Sequence, residues 1–162
     1  MQLREEDFDN VNPGEARPLI EEGLWPADFV GLESRSGRWG EKLYANWKVF
    51  IAPGKGQFVV LPRYYTVERD GGGRFKFGRL HAYRKDWIAS NGGRVPLDAN
   101  RLPPSIWQKR TFLVEVATVR MGSDGVPLLR SLYWSKVRRV IRPLDEGESW
   151  DRLPLQPFDS SS

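Results

Sequence analysis

Cysteine is absent from this chain of 162 residues, and histidine occurs once, as His81. The first absence removes disulfides and thiolate metal sites. The second leaves a single imidazole for proton exchange near neutral pH. No run approaches the roughly 20 apolar residues of a membrane helix. The opening Met-Gln-Leu-Arg-Glu-Glu-Asp lacks the basic-then-apolar order of a secretory signal, so a cytoplasmic location is expected. Also missing are a Gly-x-Ser-x-Gly elbow, a His-Glu-x-x-His helix and a Cys/His cluster. Gly54-Lys55-Gly56 lacks both the upstream glycine spacing of a phosphate loop and the Ser or Thr that would hold magnesium; a hairpin turn explains it. Asp86 and Glu115 have no acidic neighbour in sequence, and His81 reads as a helix-surface or packing residue. No enzyme, cofactor or metal is expected.

What the chain has is charge laid out in blocks. Residues 23–144 hold 22 Lys or Arg against 9 Asp or Glu, a surplus of +13. The first 22 residues hold 2 basic and 7 acidic residues, and the last 18 hold 1 and 5. A basic body between acidic ends suits a protein that binds a polyanion and regulates access to it. Both ends are broken by proline and lack periodicity. They read as flexible acidic arms, 1–22 and 145–162, around one domain at 23–144.

Within the domain the apolar pattern has mostly period two. Strands are expected at Pro26 to Arg35, Glu41 to Ile51 and Phe58 to Val67, with Pro62 marking an edge or bulge. In the second strand Leu43, Ala45, Trp47, Val49 and Ile51 share one face. A helix is expected at Gly78 to Asn91 from the spacing of Leu80, Tyr83, Trp87 and Ile88, with Asn91-Gly92-Gly93 as its stop. A short helical turn at Ser105-Ile106-Trp107 follows, then strands at Thr111 to Met121 and Leu132 to Ile141. Three strands, a helix and two strands is the order of a five-stranded OB-like barrel, which binds nucleic acid strands or oligosaccharides. An open sheet packed on one helix has the same order.

Single-stranded nucleic acid requires cations for phosphates and aromatic faces for bases. The second strand interleaves them outward as Lys42, Tyr44, Lys48 and Phe50; the last strand repeats the mixture as Trp134, Lys136 and Arg138. Loops add Arg38 and Trp39, and Arg120 and Arg130; the third strand adds Arg63, Tyr64 and Tyr65. Trp47 belongs to the apolar row and to the core. The helix cations Arg79, Arg84 and Lys85 lack a helix-turn-helix partner and read as a solvated face.

With Tyr64-Tyr65-Thr66-Val67 after Pro62-Arg63, and Tyr133-Trp134-Ser135-Lys136-Val137 in the last strand, the chain resembles OB-fold single-stranded DNA-binding proteins of phages and mobile elements. The resemblance covers Trp25 to Ile141. It implies sequence-tolerant binding of single-stranded DNA, or RNA, in replication, recombination or transfer, with the acidic arms competing for the groove when it is empty. It also implies a tail that recruits a replication or repair protein, here through Phe158 and Asp159. The family's tip ends on Pro-Phe after acids, whereas this chain continues past Pro157-Phe158 with Asp159 and three serines. Many OB-type binders are multimers, so a homo-oligomer is compatible; no membrane partner is expected. The same Arg and aromatic residues suit a protein-interaction module, a phage or mobile-element inhibitor or assembly factor without catalysis. An oligosaccharide binder ranks third, since a neutral ligand gives no reason for the +13 surplus.

Overall fold

A computed structural model describes residues 17–38, 40–52, 56–78, 81–98 and 101–145. Six strands form one antiparallel sheet: β1 (Gly23–Gly37), β2 (Gly40–Ala52), β3 (Gln57–Arg69), β4 (Phe75–Lys76), β5 (Thr111–Val119) and β6 (Trp134–Pro143). Their order across the sheet is β4-β3-β2-β1-β5-β6. The period-two pattern of β2 is realised: Leu43, Ala45, Trp47 and Val49 are all buried. A register shift between Phe50 and Ala52 ends the alternation. Pro62 lies opposite Asn46 of β2, and beyond Glu68 and Arg69 no ladder runs along the other side of β3 among the described residues. A strand missing one donor is tolerated there.

The one α-helix among the described residues, α1 (Ala82–Ser90), packs beside β6 and a 3-10 turn at Pro104–Trp107. It is shorter than the predicted Gly78 to Asn91. His81 supplies the cap: its Nδ1 accepts from the Tyr83 N–H at 3.0 Å, and its Nε2 lies 2.7 Å from the Thr66 carbonyl. Those partners fit the neutral Nε2–H tautomer. Gly92 and Gly93 take φ of 69° and 83°, left-handed values that stop the helix at little cost. The 3-10 turn drives Trp107 into the core, 5.4 Å from the rings of Phe29 and Tyr83 and 5.9 Å from Trp47. Its indole N–H donates to Ser90 Oγ at 2.7 Å.

The sheet has six strands rather than five because β4 adds a short hairpin partner to β3. Among the described residues no ladder joins β3 to β6. What lies between them is a polar wedge. Asp86 of α1, 3% exposed, accepts from Arg63 Nε at 2.9 Å and Tyr65 Oη at 2.6 Å, both on β3. Its other oxygen accepts the Val140 N–H of β6 at 3.2 Å. A backbone donor of β6 is thereby spent on a helix side chain instead of a strand. The barrel expected from the strand order is, in these terms, a curled sheet packed on one helix.

Removing one partner of a buried pair leaves the other charge uncompensated, at a cost of roughly 3–5 kcal/mol. Asp86→Ala is expected to lower the unfolding free energy by about 3 kcal/mol, read by urea denaturation. Adding Arg63→Met is expected to restore part of that loss.

Candidate functional site

Strand register builds the site. Tyr44 of β2 lies directly opposite Tyr64 of β3, and their outward rings meet edge to face with centroids 4.6 Å apart. Trp134, the first residue of β6, extends the row at 5.8 Å from Tyr64, again nearly perpendicular. Guanidinium groups close both ends: Arg35 lies 4.4 Å above the Tyr44 ring, and Arg17 lies 4.5 Å above Trp134. The three rings are half-buried and line a groove of about 580 Å³ with Arg17, Lys42 and Lys136. Its other wall comes from the β5–β6 connection, including Met121, Leu128 and Leu132.

Lys136 reports the electrostatics. Burial, then repulsion from Arg63, Arg138 and Lys42, holds its ammonium below the ordinary lysine range. A cation kept uncomfortable by like charges is a place where an anion is favoured.

Five sequence-predicted residues therefore share one groove: Lys42, Tyr44, Tyr64, Trp134 and Lys136. The other predicted residues that the structure describes do not line it. Lys48 lies farther along the same face, its ammonium 4.2 Å from the Phe58 ring centroid and 5.8 Å from that of Phe50. Arg38 is exposed in the β1–β2 turn. Arg138 reaches Glu115 at 3.3 Å, and Arg139 holds the other oxygen of that carboxylate, which is only 2% exposed. Arg120 and Arg130 line a separate shallow depression of about 730 Å³ with Leu19, Ile20, Glu22 and Tyr133. Arg120 is paired there with Glu22 at 2.8 Å. Against the cost of burial, hydrogen bonds from Thr118 and Arg120 hold the Glu22 carboxyl below its usual range. Tyr133 borders both concavities.

Two expectations are corrected. Tyr65 is 1% exposed, packed 5.2 Å from Tyr83 and bonded to Asp86, so it offers no face to a ligand. Arg63 faces inward beside it and is held by Asp86. Both follow from alternation along β3: once Leu61 and Val67 are buried, residues 63 and 65 share their face. Trp39, Phe158 and Asp159 lie outside the described residues.

Sequence reasoning missed Arg17 and Arg35. Arg35 lies opposite Lys42 in the β1–β2 ladder, a pairing recoverable from the short turn between those strands. Arg17 was hidden by its place in the acidic arm. Residues 17–22 are laid beside β6: the Ser135 N–H donates to the Pro18 carbonyl at 2.9 Å, and the Ile20 N–H donates to Ser135 Oγ at 2.8 Å.

Among the described residues no three His, Asp or Glu side chains are grouped to hold a metal, and no helix is long and apolar enough to cross a membrane. The chain matches no protein-family model, no curated protein and no solved structure.

Because the Lys136 charge is disfavoured in the fold, Lys136→Met is expected to raise the urea midpoint at neutral pH. The charge costs stability wherever the folded-state lysine is protonated. The advantage of the variant should therefore shrink as pH rises through the lysine range, checked by repeating the denaturation in alkaline buffer.

Proposed function

We propose that the groove binds single-stranded nucleic acid without sequence preference, by capturing phosphates at Lys42 and Lys136 and stacking bases along Tyr44, Tyr64 and Trp134. The observation that carries this reading is the placement of three outward rings and two lysines from β2, β3 and β6 in one groove. A stacked base contributes roughly 1–3 kcal/mol and every base has a face to offer, so aromatic rows tolerate any sequence. The finer fold reading goes with it. Strand order β3-β2-β1-β5-β6, a helix between β3 and β5, and end strands bridged through Asp86 support an OB-type barrel whose outer face carries the ligand.

The chemistry asked of the protein is binding. His81 is already used as a helix cap and in a contact with β3. The buried carboxylates Asp86 and Glu115 are each matched by arginine.

A second reading, a protein-interaction module, is favoured by Phe58 and Val60, which are 46% and 43% exposed on the outer face of β3. It predicts partner binding that survives nuclease and high salt and is weakened by Phe58→Ser.

The direct test of the first reading is titration of a thymidine oligonucleotide against tryptophan fluorescence at several salt concentrations. Each phosphate neutralised adds about −0.7 to the slope of log affinity against log salt, so Lys42→Gln and Lys136→Gln should each flatten it by about that amount. Tyr64→Ala or Trp134→Ala should weaken binding by about 10- to 100-fold. Affinity indifferent to salt, or no binding at low salt, would remove this function.

A further inference from the structure

Pro62 fixes which main-chain groups of β3 face the free edge of the sheet. The β2–β3 register runs unbroken through Asn46 and Pro62. Main-chain groups of an antiparallel strand alternate in direction, so a residue without an N–H fits only where it points away from the partner strand. By that alternation the N–H and C=O of Phe58, Val60, Tyr64 and Thr66 also point away from β2. Two of these carbonyls are already taken: Tyr64 accepts from Arg63 Nη1 at 3.2 Å, and Thr66 meets His81 Nε2 at 2.7 Å. Beyond them Glu68 and Arg69 pair with β4. The edge is therefore occupied from Tyr64 onward. At Phe58 and Val60 no hydrogen bond reaches it among the described residues.

The same two residues turn apolar side chains outward, where both are exposed. Phe50 of β2 lies opposite Phe58, and Lys48 lies opposite Val60. The Lys48 ammonium leans over Phe58 toward the edge, 4.2 Å from the ring centroid. Among the described residues no carboxylate pairs with it. An open row of donors and acceptors beside apolar side chains is what an added strand requires. It calls for peptide backbone, because a phosphodiester chain carries no matching donors at that repeat. A second copy of this chain fits poorly. Pairing β3 with β3 would join two domains, each with a surplus of +13, over the five residues Gln57–Leu61. A stable dimer buries about 800 Å² on each side.

We propose that the Phe58–Val60 edge takes up an extended segment of a partner protein as an added strand, with apolar side chains on Phe58 and Val60 and a carboxylate at Lys48. This site presupposes the interaction reading of Phe58 and Val60, and gives that partner a backbone conformation and a charge. It stands apart from the aromatic groove, which neither residue lines. Tyr64 lies four residues beyond Val60, about 13 Å along the strand. Both sites can be filled at once.

The test selects from a random dodecapeptide phage library on the immobilised full chain, and the enriched peptides are then synthesised. Apolar residues alternating along the peptide, with at least one Asp or Glu, are expected. Their binding should protect the Phe58 and Val60 amides from hydrogen exchange. N-methylation of every second peptide amide should abolish binding in one phase and leave it within about twofold in the other. Val60→Pro removes an outward N–H without touching the β2 ladder and should weaken binding about tenfold. Lys48→Gln should weaken acidic peptides about threefold at low salt. Binding lost in Phe58→Ser but indifferent to amide phase and to Val60→Pro would overturn the added strand and leave the interaction reading standing. Binding untouched by all three substitutions would remove both. A library that yields no binder would overturn the peptide partner, while a folded partner dependent on Phe58 would still uphold the interaction reading. Displacement of the bound peptide by a thymidine oligonucleotide would overturn the proposal in favour of nucleic acid.

Discussion

A buried carboxylate holds this architecture together. Asp86 reaches β3 through Arg63 and Tyr65 and β6 through a backbone N–H, so one side chain ties the helix to two strands that share no ladder. Burying that charge is tolerable only because a guanidinium, a phenol and an amide all point at it. The burial and the neighbouring carboxylate hold the Tyr65 hydroxyl well above the ordinary phenol range, which keeps it a donor. The groove depends on this arrangement, since Tyr64 and Trp134 meet only where β3 and β6 come together.

The basic surplus of the domain is only partly available to a ligand. Arg63, Arg138, Arg139 and Arg120 are matched by Asp86, Glu115 and Glu22. Arg17 and Arg35 lie on aromatic rings at the ends of the row, which stiffens it and leaves their charge beside the groove. Lys42 and Lys136 are the cations of the predicted set that the groove brings together. Net charge thus describes the field around the molecule, and register decides which charges a bound chain would meet.

Much of the sheet is legible in the sequence because period two is a local signal. The row from Leu43 to Val49 and the interleaved Lys42 and Tyr44 follow from alternation alone. The helix is legible at Tyr83 and Trp87, but not at Asp86 and Ser90, which are polar and buried on the same helix. Their burial is set by partners 17 to 54 residues away, beyond any local pattern. The inward face of Tyr65 follows from alternation with Leu61 and Val67, but its bond to Asp86, 21 residues away, does not. The missing β3–β6 ladder is likewise a tertiary outcome, and strand order alone is compatible with either arrangement.

Tyr133 and Trp134 follow one another at the entry to β6, and among the described residues Tyr133 alone borders both concavities. A polymer that occupied both would have to pass the Tyr133 ring, so under the proposed reading a change at this one side chain would be felt in the two concavities at once.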